Sequence, residues 1–133
     1  MTIKEVSKKF GISQDTLRYY ERVGMIPPVT RTSGGIRDYN ESDLAWVSLA
    51  VCMRSAGLPI EAMIEYVKLY QQGDLTIPAR LQLLLDQKAV LTEQIRQIEQ
   101  TMKKLDYKIS VYEKAVKTGV LVWNEKECNN NDN

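Results

Sequence analysis

The chain has 133 residues, of which 44% are hydrophobic and 26% charged, a composition typical of a globular domain rather than a disordered or fibrous chain. Its formal net charge is +1, so overall charge gives no reason to expect nucleic acid as a partner. Histidine is absent, which removes the commonest general base and metal ligand together, and no convergent acid/base set suggests an enzyme. Two cysteines, Cys52 and Cys128, make no disulfide framework and fit a reducing cytoplasm. No apolar run reaches the ~20 residues that a membrane-spanning helix needs.

Two short helices are predicted at the start of the chain. Thr2 and Glu5 have the spacing of a capping box, and Gly11 suits the left-handed residue that ends a helix. Ser13 is placed to cap the second helix, over residues 14–23. Two helices joined by a three-residue turn with glycine are a helix-turn-helix pattern. Taken alone, the pattern fits two helices of a small bundle as well as it fits a DNA-binding unit.

The second helix leaves polar and aromatic side chains outside. Leu17 is expected to point inward. The outward positions are Gln14, Thr16, Arg18 and Tyr19. Residues 1–39 hold seven cations and four anions, an excess of three positive charges. A solvated face of mixed charge explains this excess as well as a nucleic-acid surface does.

A small hairpin, or wing, is predicted next. Residues 27–29 are extended because of two prolines, residues 32–35 form a turn, and residues 36–39 return as a second short strand. Arg31 and Arg37 flank the turn. A wing beside a helix-turn-helix extends the phosphate-binding surface, whereas the plainer alternative is a connecting hairpin.

Two further helices follow the wing. The third begins near residues 40–43, which offer caps and first-turn acids, and ends at Gly57. Pro59 opens the fourth helix, where its missing N–H costs least, and residues 72–74 end it.

The last third of the chain carries an unbroken heptad pattern. Its seam is formed by Leu81, Leu84, Lys88, Leu91, Ile95, Ile98, Met102, Leu105, Ile109, Tyr112 and Val116. Steps of three and four over about five heptads predict a coiled-coil helix of ~40 residues. A rod of ~60 Å would overhang a small domain, so a two-chain coil is favoured over intramolecular packing. Lys88 lowers stability in the seam and either fixes register or lies near a tapering end.

Three motifs now stand beside these heptads: residues 16–27 read TLRYYERVGMIP, residues 35–39 GIRDY and residues 53–60 MRSAGLPI. Together they resemble the MerR family of bacterial transcription regulators, over the chain up to about residue 117. The resemblance implies a mainly α fold with a winged helix-turn-helix DNA-binding domain over residues 1–76. An antiparallel dimerising coiled coil over residues 77–117 and a short apolar segment with a disordered polar tail over residues 118–133 would follow.

The resemblance also implies the partners. They are double-stranded promoter DNA, a second copy of the chain and, through the promoter, RNA polymerase, with no cofactor, metal or membrane. The implied DNA contacts are Thr16, Arg18, Tyr19, Tyr20, Arg22, Arg37 and Tyr39. The implied dimer contacts are Leu81, Leu84, Leu91, Ile95, Ile98, Met102, Leu105 and Ile109. Such a dimer binds a palindromic, over-long promoter spacer and activates by bending and untwisting it until polymerase reads both of its elements.

Cys52 is the candidate sensor. It shares a helical stripe with Ala45, Leu49 and Ala56, so one interpretation is a small buried apolar residue. Its context, VCMRSAGL over residues 51–58, looks like the branch of the family in which a lone cysteine senses aldehydes and other thiol-reactive electrophiles. Two cysteines without histidine cannot complete a soft-metal site from one chain. A small apolar ligand, or a DNA-anchoring role without an effector, remains the alternative.

Overall fold

The computed structural model describes residues 1–123. The predicted disordered tail, which contains Cys128, therefore lies outside the described residues, whereas residues 118–123 before it are described. The chain forms two compact units, one of residues 1–89 and one that begins at Val90. In residues 1–123, no helix is long and apolar enough to cross a membrane.

Helices make up most of the described chain. They are α1 (Ile3–Phe10), α2 (Gln14–Val23), α3 (Glu41–Ser55), α4 (Ile60–Gln71) and α5 (Ile77–Thr118), with a 3₁₀ turn at Asp74–Thr76. We call α1 to α4 and the wing between α2 and α3 the head. The predicted helices are all present.

Local capping explains where the first helices begin and end. Thr2 and Glu5 form the predicted capping box, and Gly11 ends α1 with a φ of 67°. The Ser13 hydroxyl accepts a hydrogen bond from the backbone N–H of Thr16 at 3.0 Å. These caps fix the turn between α1 and α2, and thereby the direction of α2.

The wing is a hairpin with very little strand. Its ladder reduces to a bridge between Arg31 and Arg37. The backbone N–H of Thr32 donates to the carbonyl of Ile36 at 2.8 Å, and that of Asp38 to the carbonyl of Thr30 at 2.7 Å. The predicted second strand over residues 36–39 is therefore wrong, because the chain turns into the core at Tyr39 before a longer ladder can form.

The core of the head draws on all four helices. Val6 of α1, Leu17 of α2, Val47 of α3 and Met63 of α4 are fully buried. Complete burial of such side chains stabilises a fold by about 1.5–3 kcal/mol each. This core holds α2 against the head, so its opposite face is free.

The α3 stripe that contains Cys52 lies on the other side of the helix. Val47, Ala50 and Met53 are the buried residues of α3, whereas Cys52 is exposed and is a free thiol. The interpretation of Cys52 as a buried packing residue is therefore wrong.

The heptad seam of α5 is exposed within the chain. Leu84 has the lowest exposure of the large apolar seam residues that lie on the surface, 41%, and Ile98 stands at 62%. Leu91 is half-buried. At the end of α5 the chain reverses at Gly119, and the Trp123 ring packs 6.0 Å from the ring of Tyr112. Apart from this contact at Tyr112, most of the seam stays exposed in residues 1–123.

Candidate nucleic-acid interface

Arg18 is held over the first turn of α2. Its Nη1 lies 2.9 Å from Asp15 Oδ1, and its Nη2 donates to Gln14 Oε1 at 3.4 Å. The Asp15 side chain is almost fully exposed, and that of Arg18 is 44% exposed. The N-terminal turn of a recognition helix is the part that meets base edges in the major groove. A guanidinium already placed there is suited to bidentate contact with guanine.

Two further predicted residues lie beyond Arg18: Tyr19 follows it directly, and Arg22 lies one turn further along α2. The guanidinium of Arg22 stacks over the ring of Tyr19 at 5.4 Å from its centroid. Thr16 has a different position, because its hydroxyl is hydrogen-bonded to the Ser13 hydroxyl at 2.8 Å within the helix cap. The structure thus brings Arg18, Tyr19 and Arg22 to one side of α2, where both arginines are exposed and Tyr19 is half-buried, and places Thr16 at the start of the helix.

Glu21 connects α2 to the wing. Its carboxylate is only 11% exposed and accepts from Arg37 Nε at 2.7 Å and from the backbone N–H of Val29 at 2.8 Å. Arg31 Nη2 lies 3.6 Å from the same carboxylate. Two arginines of the wing thus share one acid of α2. The wing is positioned by this contact more than by its strand pairing.

Arg37 keeps further donors beyond this contact. A guanidinium has five N–H groups, and the Glu21 carboxylate takes the one on Nε. Within residues 1–123, its terminal nitrogens form no further hydrogen bond. Arg37 is therefore placed to hold Glu21 with one side and a phosphate with the other.

Two predicted contact residues, Tyr20 and Tyr39, lie inside the head. Tyr20 is 7% exposed and Tyr39 1%. Burial raises the pKa of both hydroxyls above the ordinary value, and the nearby charges of Arg54 and Arg37 respectively oppose the shift. The Tyr39 hydroxyl has no hydrogen-bond partner in the described part of the chain. Both rings pack the core instead of facing DNA, because the apolar side of α2 and the end of the wing close on them, so we leave them out of the interface.

Asp15 and Glu21 are functional candidates that the sequence reasoning missed. Asp15 lies three residues before Arg18, a helical spacing that could have indicated the pair. Glu21 gave no such signal, because Arg37 is 16 positions away.

Arg54 follows Cys52 by two positions, and its guanidinium is engaged elsewhere. Arg54 Nη1 donates to the carbonyl of Leu58 at 2.6 Å and so holds the turn between α3 and α4. The described residues contain no group of three or more potential metal ligands. Cys52 is therefore an exposed thiol that belongs to no cluster of metal ligands among the described residues.

Comparison with known proteins gives the relationships of the chain. Residues 1–69, more than half of it, match the family described as MerR HTH family regulatory protein, and residues 44–107 match the family described as MerR, DNA binding. The HTH-type transcriptional regulator AdhR of Bacillus subtilis is 54% identical over 93 residues. That match covers 70% of this chain and 66% of AdhR, just under two thirds of the relative's length.

Two solved structures are similar over nearly the whole chain. A MerR family transcriptional regulator from Listeria monocytogenes is 41% identical, with a TM-score of 0.85 and 90% of both chains covered. HiNmlR, described as a MerR family regulator lacking the sensor domain and bound to promoter DNA, is 32% identical, with a TM-score of 0.80 and coverage of 90% and 95%. The predicted fold class is confirmed by these likenesses. With these matches, the chain belongs to the MerR family of helix-turn-helix transcriptional regulators.

Proposed function

We propose that this regulator works as a homodimer that binds a palindromic promoter spacer, distorts it, and is switched by an aldehyde or another thiol-reactive electrophile at Cys52. The observation that supports DNA binding by α2 is the cluster of the exposed Arg18 and Arg22 with the half-buried Tyr19. Glu21 ties that cluster to the arginines of the wing. Base contacts from α2 and phosphate contacts from the wing would act together on one half-site.

The exposed seam of α5 supports the homodimer. A two-fold dimer presents two identical heads, and a palindromic site presents two identical half-sites. The spacing of the heads would then be set by the coil. Distortion of the spacer is what the family resemblance implies, and its energy depends on the deformability of DNA that the protein does not touch.

The exposed thiol of Cys52 supports the sensing step. In this step the thiolate sulfur attacks the carbonyl carbon of an aldehyde and forms a carbon–sulfur bond. The π electrons of the carbonyl move to its oxygen, which then takes a proton from water. The adduct adds bulk and polarity to the exposed face of α3, and so changes what that face can pack against.

The 54% identity with AdhR supports the electrophile-responsive branch of the family. A metal effector is less well supported, because the described residues contain no cluster of metal ligands. The setting of this chemistry would be the cytoplasm, where thiols stay reduced.

Arg18→Ala is expected to weaken binding to the promoter of the protein's own gene by about 10–100-fold per head, because a bidentate arginine–guanine contact contributes about 1–3 kcal/mol. Fluorescence anisotropy at one fixed salt concentration, with promoter and scrambled duplexes, measures the loss. Arg96→Ala on α5 removes the same charge outside the head and serves as the matched control. Equal affinities of the two variants for the promoter would remove Arg18 from the interface.

Cys52→Ala is expected to keep promoter affinity and to lose the transcriptional response to formaldehyde or methylglyoxal, since only the reacting sulfur is removed. In vitro transcription with and without the aldehyde measures the response, and intact-protein mass spectrometry measures the adduct. Cys128→Ala is the matched control, because it removes the other thiol of the chain. A normal response in the Cys52 variant would sink the sensor assignment and leave DNA binding untouched.

A further inference from the structure

Asp15 is an acid on the side of α2 that is expected to face DNA. It belongs to the first turn of the helix, three residues before Arg18, and its side chain is 94% exposed. A carboxylate close to the phosphates of a duplex repels them whatever the DNA sequence is. Asp15 therefore weakens binding in general, unless one base pair offers it a contact that offsets the repulsion. Its position concerns the choice of DNA sequence more than the affinity for DNA.

The guanidinium of Arg18 keeps donors beyond its contacts within α2. Its Nη1 donates to Asp15 Oδ1 at 2.9 Å, and its Nη2 donates to Gln14 Oε1 at 3.4 Å. These bonds use two of the five N–H groups of an arginine side chain, which leaves three. The two contacts also restrict the side chain before DNA is bound, so less rotamer freedom is lost on binding.

Asp15 keeps an acceptor in the same way. Its Oδ1 atom accepts from Arg18, whereas its Oδ2 atom forms no hydrogen bond within residues 1–123. Free donors of Arg18 and a free acceptor of Asp15 thus lie beside each other on the first turn of α2. Together the two side chains can present two donors and, next to them, one acceptor.

This set of groups matches one kind of base pair in the major groove. Guanine presents two acceptors there, N7 and O6, and the paired cytosine presents one donor, its N4 amino group. Adenine has a donor, N6, where guanine has O6, and thymine has an acceptor, O4, where cytosine has its amino group. An A·T pair in this orientation would therefore face the arginine with a donor and the carboxylate with an acceptor.

We propose that Arg18 and Asp15 together read one G·C pair in each half-site, Arg18 on the guanine and Asp15 on the N4 amino group of the paired cytosine. The proposal rests on the entry of α2 into the major groove under Proposed function and specifies the base pair that α2 reads. Asp15 is then a specificity-determining residue with two effects. It holds the guanidinium of Arg18 in place, and it excludes base pairs that lack the cytosine donor.

A purely local role of Asp15 leads to a different expectation. Acids in the first turn stabilise a helix through its dipole, and α3 likewise begins with an exposed acid, Glu41. In such a role, Asp15→Ala would change the affinity for every duplex by the same factor. Contact with cytosine instead changes the ratio of affinities between two duplexes that differ in one donor.

Base analogues in the promoter of the protein's own gene test the contact atom by atom. Each cytosine of one half-site is replaced in turn by N4-methylcytosine, which pairs with guanine but carries a methyl group in place of the donor in the major groove. Each guanine is replaced in turn by 7-deazaguanine, which lacks the N7 acceptor. Fluorescence anisotropy with the full-length wild type, Asp15→Ala, Arg18→Ala and Glu41→Ala gives the affinity for each modified duplex relative to the unmodified one.

We expect one cytosine at which the methyl group lowers the affinity of the wild type by about tenfold, the usual effect of a lost base contact, and that of Asp15→Ala by less than about twofold. At the guanine paired with it, 7-deazaguanine should weaken binding of the wild type and of Asp15→Ala but not of Arg18→Ala. Glu41→Ala removes the same charge from the start of α3 and should show the ratios of the wild type.

Two results would overturn the proposal. One is an equal loss for the wild type and Asp15→Ala at every methylated cytosine. The other is a cytosine read by Asp15 whose paired guanine is not read by Arg18. A failure of the underlying binding mode looks different, because Arg18→Ala would then bind all the duplexes with the affinities of the wild type, and both proposals would fall.

Discussion

Replacing Glu21 with alanine is expected to lower the free energy of unfolding of the head by about 3 kcal/mol, a value in the range for breaking a mostly buried charged network. The Glu21 side chain is 11% exposed and accepts from Arg37 and from the backbone N–H of Val29. Alanine would leave that N–H without its acceptor and the wing arginines without their acid. The wing would lose its main attachment to α2, since its ladder is a single bridge.

The effect of Glu21→Ala on DNA binding distinguishes the positioning of the wing from the change in net charge. Each head gains one positive charge, so binding to scrambled DNA at low salt should rise slightly. Binding to the promoter should instead fall by about tenfold, the usual effect of losing about 1.4 kcal/mol of positioned contact. The ratio of the two affinities is therefore the quantity to measure, together with urea unfolding.

Glu65→Ala is the control for the Glu21 variant. Glu65 is exposed on α4, and its removal changes the net charge by the same amount. Identical unfolding free energies for the two variants would contradict a structural role of Glu21.

The sequence predicted the helices of the head well wherever neighbouring residues determine where a helix begins or ends. Capping residues act within three or four positions of one another, so Thr2, Gly11 and Ser13 mark helix ends without knowledge of the fold. The α5 seam was predictable for a similar reason, because a fixed period over many turns leaves one face for packing.

The candidate site was less predictable because its parts meet through the fold. Arg37 reads as a free cation in sequence, yet it bonds with Glu21, and Arg31 lies against the same acid. Tyr39 reads as a wing residue available to DNA, yet the chain turns its ring into the core. Neither fact follows from spacing, since the contacts join different elements.

Cys52 shows a further limit of periodicity. Helix α3 has small or apolar residues on two sides, Val47 and Ala50 on one and Leu49 and Cys52 on the other. A helical stripe of apolar residues is then no guide to the buried side. The core of the head packs against Val47 and Ala50, so the Cys52 thiol on the other side stays exposed. An exposed thiol can be tested directly for reaction with an aldehyde.

Ile98→Asp is expected to convert the dimer to a monomer and to weaken promoter binding by about 10²–10⁴-fold, the usual contribution of a second tethered binding site. Ile98 lies at the middle of the seam and is 62% exposed in the isolated chain, so the change costs the single chain little. In the dimer it would put a carboxylate from each chain into the seam, where desolvation of an unpaired charge opposes association. Sedimentation equilibrium and anisotropy with the promoter duplex measure the two effects.

The control for this variant lies two positions further along α5. Gln100→Asp adds the same charge on the side of the helix away from the seam, so it should leave both mass and affinity nearly unchanged. Binding to a single half-site duplex should be alike for both variants, because each head stays folded and keeps Arg18, Tyr19 and Arg22. An Ile98 variant that stays dimeric with full promoter affinity would show that the seam of α5 does not hold the two heads together. A monomer with full affinity would instead show that one head alone accounts for promoter binding, and the coil would then need another purpose.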